Sequence, residues 1–326
     1  MILKRMIELV IGISLLFFLG GAVFGQDKYP SRPIELVVAF GPGGSVDVSA
    51  RMYGEELSKA LNVPVTVVNR AGGTGIQGTS YVARSRKDGY TLLQGATQSI
   101  ILLPIISNEV NYDPKKDFIP LAHFASVPSV LVVRNESPFK TLDDVISYAR
   151  KNPGKLNNGG TGFGSESQFN LDVLCIRNKI QISSVPFKGG GEVLSTLMGG
   201  HVDLSFLALP TMGPQIKAGK LRGLAVTSKT RHPDFPDIPT TAELGHPYVD
   251  FSIGIGVFAP AGVPQPVLNV LVPTLERIFK SSEIVQRATN AGFSVAYMGP
   301  QEFQTFIDSR RQVYEKVAHE AGLAKK

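Results

Sequence analysis

Cysteine is almost absent from this chain and tryptophan is missing altogether: Cys175 is the only thiol in 326 residues. An intramolecular disulfide is therefore excluded. An oxidising compartment is not, because a core of this size needs no cross-link. Cys175 sits in the helical-looking stretch Phe169–Ile176 with no histidine near it in sequence, so it reads as a small buried apolar residue and not as a nucleophile. His123, His201, His232, His246 and His319 are scattered, without metal-ligand spacing to one another or to the cysteine. No metal and no cofactor is expected. Charge is sparse too: 18% of residues are charged and the net charge is +6, with no dense Lys/Arg block. Nucleic-acid binding is poorly supported by that pattern, whereas a mild, spread positive balance helps draw in small anions.

Long apolar runs are confined to one place. Lys4 and Arg5 precede Leu9–Leu19, and Gly20, Gly21, Ala22 and Gly25 follow. A basic start, a short apolar centre and a small-residue exit describe a secretory signal over residues 1–25. Glu8 shortens the clean run below the roughly 20 residues a spanning helix needs. Residues 1–25 carry Lys4, Arg5 and Glu8, so their removal would leave a net +5. The remaining length suggests two domains.

What is present is an alternation of strand and helix. Ile34–Val38, Val65–Val68, Tyr90–Gln94, Val130–Val133, Ile182–Phe187, Val202–Phe206, Leu221–Thr227 and Ile253–Phe258 read as strands. Val46–Leu61, Ile76–Ser85, Thr141–Lys151, Glu166–Arg177, Glu192–Met198, Met212–Ala218, Pro266–Lys280, Ser282–Ala291 and Pro300–Ala321 read as helices. This predicts an α/β fold of two lobes, each a mostly parallel sheet flanked by helices. The chain is expected to cross between lobes near Ala125–Val133 and near Ile253–Phe258. That assigns 26–126 and 254–326 to lobe one and 127–253 to lobe two. Two crossings make a double hinge, which lets lobes close on a ligand.

Two glycine segments stand at strand-to-helix junctions. Phe40-Gly41-Pro42-Gly43-Gly44-Ser45 follows Ile34–Val38, and Thr161-Gly162-Phe163-Gly164-Ser165 follows Leu156–Asn158. N–H groups in the first turn of a helix have no intrahelical partner, and the peptide dipoles add there, so such junctions attract anions. Two of them, one per lobe, could grip one anionic ligand from both sides. The second lacks the Lys-Ser/Thr of a phosphate loop, and Gly72-Gly73-Thr74-Gly75 lacks the full dinucleotide fingerprint. No nucleophile–base pair stands out, so catalysis is not expected.

Eight segments occur in an order that resembles a known family: Tyr29–Ile34, Phe40–Gly44, Asn69–Gly73, Asp88–Leu93, Tyr112–Pro114, Asn152–Leu156, Gly199–Asp203 and Ala259–Pro264. They are similar to the Bug-type, TctC-like extracytoplasmic solute receptors of tripartite tricarboxylate transporters, across essentially all of the chain after the signal. The resemblance implies a two-lobe periplasmic binding protein fold of type II character, hinged by two crossing strands. It also implies a small organic carboxylate as ligand, a membrane permease as partner, and a periplasmic location. Carried over, it points to Phe40, Gly41, Pro42, Gly43 and Gly44 in lobe one and to Thr161, Gly162, Gly164 and Ser165 in lobe two. Gly41 stands where proline is usual, which loosens that turn. Leu207 stands where some relatives carry an aspartate suited to an ammonium, which favours a dicarboxylate or an aromatic acid over an amino acid. A monomer is expected. A sensor reporting to a membrane kinase, or less readily a cleft enzyme, are the alternatives.

Each further candidate has a plainer reading. Asp47 is a helix-start residue satisfying free N–H groups, or a ligand contact. Thr97 and Gln98, at the carboxyl end of a strand, line the cleft or are simply buried. Gln77 presents its amide to the ligand or is solvated. Lys188 supplies positive charge or is a loop lysine. Phe206, Leu207 and Ala208 form an apolar wall for the ligand or belong to the core.

Overall fold

The computed structural model describes residues 29–325. The expected signal segment lies outside the described residues. No helix among those described is long and apolar enough to cross a membrane.

Two sheets organise the chain. Sheet one holds β1 (Ile34–Val38), β2 (Val65–Asn69), β3 (Thr91–Ala96), β4 (Phe118–Val127), β10 (Ile253–Pro260) and β11 (Ser294–Met298), in the order β11-β4-β10-β3-β1-β2. Sheet two holds β5 (Ser129–Arg134), β6 (Asn157–Gly160), β7 (Ser183–Pro186), β8 (Leu204–Ala208) and β9 (Leu221–Val226), in the order β7-β6-β8-β5-β9. The two α/β lobes are present. Each sheet is mixed where a mostly parallel one was expected: β1 is parallel to β2 and β3, but β10 is antiparallel to β3 and β4. In sheet two, β6 is parallel to β7 and β8, while β5 runs against β8 and β9. Strands that arrive from the other lobe enter without a crossover helix to reverse them, so they pair antiparallel.

Only Pro128 separates β4 from β5, so one nearly continuous extended segment passes from sheet to sheet. The return runs from Thr227 to Ser252, and the two passages are knitted together. Thr227 N–H donates to the Ser129 carbonyl at 2.9 Å, and Ser129 N–H donates to the Thr227 hydroxyl at 2.9 Å. The sequence reading misses β4 and β11 as strands. Pro120 and His123 interrupt the apolar pattern of β4. Both of its faces are nonetheless covered, which removes the alternation that marks a half-exposed strand.

Helix α1 (Ser45–Leu61) turns Val46, Ala50, Tyr53, Leu57 and Leu61 toward sheet one, at the spacing that keeps one face inward. There they meet helix α7 (Gln265–Phe279) in a core that includes Phe124, Leu271 and Leu275. Tyr53, Phe124 and Phe279 are fully buried, with ring centroids of the Tyr53–Phe279 and Phe124–Phe279 pairs 4.8 Å apart. Each such side chain contributes about 1.5–3 kcal/mol by burial. Between α1 and α7 in sequence come α2 (Ile76–Ala83), α3 (Leu142–Lys151), α4 (Glu166–Asn178), α5 (Gly190–Met198) and α6 (Leu209–Lys217); α8 (Ser282–Asn290) and α9 (Pro300–Glu320) follow. The α3 start shows why the sequence is helical there: Thr141 and Asp144 form a reciprocal capping box.

One core cluster joins the two sheets. Phe169 of α4, Phe251 of the return segment and Tyr314 of α9 pack ring against ring, 4.6–5.8 Å between centroids. The tail helix thus rests on both halves of the molecule.

Candidate functional site

Each glycine turn stands where a parallel strand ends and a helix begins: Phe40–Gly44 between β1 and α1, and Thr161–Ser165 between β6 and α4. In open α/β sheets that end of the strands is where ligands bind. The two turns use different chemistry to hold their shape.

In the first turn the organiser is Asp47, which is 2% exposed. Its carboxylate accepts from Gly43 N–H at 2.9 Å, from Asn69 Nδ2 at 2.8 Å and from Arg51 Nε at 3.0 Å. Asn69 Nδ2 also donates to the Phe40 carbonyl at 3.0 Å. Burial works to raise the Asp47 carboxyl, but these hydrogen bonds and the Arg51 charge outweigh it and hold it below the ordinary range. Asp47 is therefore the helix-start residue. Its bond to Gly43 occupies a donor that the sequence reading assigns to the ligand. The helix itself first engages Val48, whose N–H reaches the Gly44 carbonyl at 2.9 Å. The donors at this end belong to the first turn before Val48.

In the second turn Ser165 is the N-cap. Its hydroxyl accepts from Gln168 N–H at 3.1 Å and donates to the Gly162 carbonyl at 2.9 Å, and the residue is 1% exposed. Ser165 thus shapes the turn, with its hydroxyl engaged inside it. Gly162 and Gly164 both have φ of 84°, a region that side chains rarely adopt. Gly164 also lies flat against Leu103, so that a Cβ there would collide with the leucine side chain.

The loop Gly72–Gly75 brings the turns together. Gly75 packs so closely on Phe40 that a Cβ would fall 2.9 Å from the ring. One residue earlier, the Thr74 hydroxyl donates to the Phe163 carbonyl at 2.9 Å. Thr74 holds φ 52° and ψ 36°, a strained conformation for a β-branched residue. Phe40, Gly75, Thr74, Phe163 and Gly164 therefore form a continuous seam from sheet one to sheet two.

The remaining candidates separate. Thr97 is buried at the seam: its hydroxyl contacts Glu166 Oε1 at 2.6 Å and accepts from Gly254 N–H at 2.9 Å. Gln98 is buried beside it, opening the wide helical turn Gln98–Leu102. Lys188 is exposed on the loop after β7. Its backbone N–H donates to Glu192 Oε2 at 3.0 Å, and Pro186, the last residue of β7, sits beside Gly162. Gln77 is exposed and lies over Gly72. It faces a cavity of about 770 Å³ lined also by Arg32, Tyr81, Arg84, Arg86 and Asn111, all on the sheet-one half. Leu207 is in the interior of β8, 4% exposed, packed with Val193, Leu197 and Met212. The strand runs two residues further than expected and includes Leu207. Phe206, 1% exposed, is core as well. Thr74, Leu103 and Glu166 were not anticipated, and only their neighbours across the seam single them out. Cys175 is a free, half-buried thiol that burial pushes up to about 12, as expected of an inert one.

The family model described as the tripartite tricarboxylate transporter family receptor matches residues 49–323. The chain belongs to this family. The match takes in the second turn and the Gly72–Gly75 loop and begins just after the first turn. The receptor is 32% identical over 314 residues to protein BugT of Bordetella pertussis, covering 96% of each chain. Among solved structures, an R. palustris protein with adipate superposes with a TM-score of 0.86 at 32% identity, over 91% of this receptor and 99% of that protein. MatC from Rhodopseudomonas palustris with bound malate superposes with a TM-score of 0.82 at 30% identity, over 89% and 99%. Receptors of this family are periplasmic and are binding proteins. The two-lobe fold expected from the sequence is the fold of these neighbours.

Proposed function

We propose that this receptor captures a small carboxylate, a di- or tricarboxylate or an aromatic acid, between a lobe of residues 26–126 and 254–326 and a lobe of residues 127–253, and hands it to the permease of a tripartite tricarboxylate transporter. The reading rests on one observation: two glycine turns, each opening a helix on a different sheet, meet at one seam through Thr74–Phe163 and Gly75–Phe40. The similar proteins solved with adipate and with malate support a dicarboxylate.

The chemistry follows from the turns. A carboxylate entering the seam exchanges water for first-turn N–H groups of α1 and for donors of Thr161–Gly164. The positive ends of the two helices add to that attraction. Gln98 and the loop of Lys188, with Thr97 beside Gln98, are the candidates for any second polar contact. Closure adds the donors of one lobe to those of the other, and the ligand selects the closed form in proportion to how much better that form binds it. Residues 1–25 serve as the export signal, and the receptor works as a periplasmic monomer without catalysis.

Isothermal titration against adipate, malate, citrate, benzoate, an amine and a sugar tests the reading. Binding of at least one carboxylate, with none of the amine or sugar, is expected. Binding of the neutral or cationic ligands alone overturns it.

A further inference from the structure

Glu166 is the first residue after the second turn, fully buried, and it faces the other lobe. Its Oε1 lies 2.6 Å from the hydroxyl of Thr97 at the end of sheet one's β3. That hydroxyl accepts from the N–H of Gly254 at 2.9 Å, on the strand that returns from sheet two. One short chain of bonds therefore links the second turn, β3 and the start of β10. Its Oε2 has no partner among the described residues.

A carboxylate here would gain from the positive end of the helix, but at a double cost. It would leave a charged oxygen buried and unpaired. It would also put a negative charge directly behind the helix end that attracts the ligand's own carboxylate. We propose that Glu166 is the positioning residue of the second glycine turn and that it acts as a neutral carboxylic acid, which makes carboxylate capture proton-linked. The inference rests on the receptor reading above.

The surroundings agree. Burial pushes the Glu166 carboxyl up from 4.5 to about 8, against the Thr97 hydrogen bond, its own backbone N–H and the charge of Arg310. From α9, Arg310 and Tyr314 face it. Arg310 donates instead to the Asp250 carbonyl at 2.6 Å and stands 3.7 Å from the Asp250 carboxylate. Burial raises the Tyr314 phenol, against the pull of Thr97 and Arg310 beside it, so it stays neutral. From β4, His123 approaches Gly254. It is buried, with Nδ1 2.6 Å from the Ala296 carbonyl, and desolvation holds it below its ordinary range and uncharged. On its own helix Asp172, raised by burial, is bonded by Gln168. No cation among the described residues is committed to Glu166. The first turn solves the same problem the other way, since Asp47 is ionised but neutralised by Arg51 at 3.0 Å.

The sign of the linkage gives two separate windows. Relative to the unfolded chain, the folded receptor holds an extra proton between pH 4.5 and about 8, so ligand-free stability falls with rising pH across that window. A bound carboxylate raises the Glu166 value further, so affinity is level below about pH 8 and weakens by up to tenfold per pH unit above it.

Wild type, Glu166→Gln and Glu166→Ala are compared by thermal melting without ligand from pH 4.5 to 9.5, and by titration with adipate and malate from pH 6 to 9.5. Glutamine keeps a neutral polar group beside Thr97, so its affinity is expected to be level across the alkaline range and its stability not to fall between pH 4.5 and 8 as the wild type does. Alanine removes the bond to Thr97 and is expected to weaken binding at least tenfold below pH 8, with no further loss at higher pH. Superimposable pH profiles of wild type and Glu166→Gln overturn the inference while leaving the receptor reading intact. A wild type that binds no carboxylate at pH 6 overturns the receptor reading, and this inference with it.

Discussion

The hydroxyl of Thr74, on sheet one's half, donates to the carbonyl of Phe163 on the second glycine turn at 2.9 Å. The donor residue sits in a left-handed conformation, φ 52°, that a threonine tolerates poorly. Strain maintained at a contact between lobes is what a ligand clamp would be expected to show.

Thr74→Gly removes both the strain and the contact. Relief of the left-handed Cβ clash is worth about 1 kcal/mol, and loss of the hydrogen bond about 0.5–1.5 kcal/mol of the closed form. The two nearly cancel, so the melting temperature is expected to change little, while dicarboxylate affinity falls about three- to tenfold. Calorimetry of melting and of binding on the same preparation shows whether affinity falls without a matching change in stability.

Gly164→Ala places a methyl group where Leu103 already lies, on a residue with φ of 84°. Left-handed strain and overpacking add to a loss of about 2–4 kcal/mol. Denaturant unfolding measures it. Adding Leu103→Ala should restore part of the packing loss but none of the backbone strain.

Asp47→Ala frees the Gly43 N–H and leaves Asn69 and Arg51 without their shared acceptor. A loss of about 1–3 kcal/mol is expected at neutral pH. The Asp47 carboxyl is held below 3.8, so its contribution is present above that value and fades as pH falls through the lower folded one. The gap in stability between wild type and variant should therefore close in acid, as chemical denaturation at several pH values would show.

Lys188→Glu reverses a charge on the exposed loop that follows β7, whose last residue Pro186 borders Gly162. Dicarboxylate affinity is expected to drop about two- to fivefold in dilute buffer and to recover at high salt, because an exposed charge acts through screened solvent. Titration at two ionic strengths distinguishes this from a direct contact, which salt would weaken far less.

Much of the architecture is legible in the residues. Ile34–Val38 forms a strand with the expected bounds, and the helix expected over Val46–Leu61 begins one residue earlier. Both have strong local signals: a continuous apolar run, and an inward stripe that ends at Asn62 in a left-handed cap. The junctions that carry the two turns are equally local, because glycine at strand ends has few other uses. Phe118–Val127 and Ser294–Met298 escape notice, since a strand covered on both faces loses its alternation and a five-residue edge strand is too short to show one clearly. Whether Leu207 faces a ligand or a core depends on how far its strand runs, which its neighbours in sequence do not fix.

The amino-acid sequence alone determined which elements form and where each turn opens a helix, because propensity, capping and periodicity act over a few residues. The tertiary structure decided what those turns do with their donors. It gave Gly43 to Asp47 and the Ser165 hydroxyl to Gly162, laid Gly164 on Leu103, and set Glu166 against Thr97 from the opposite sheet. Such pairings join residues far apart in the chain, and they depend on how the two sheets pack, which no local pattern encodes.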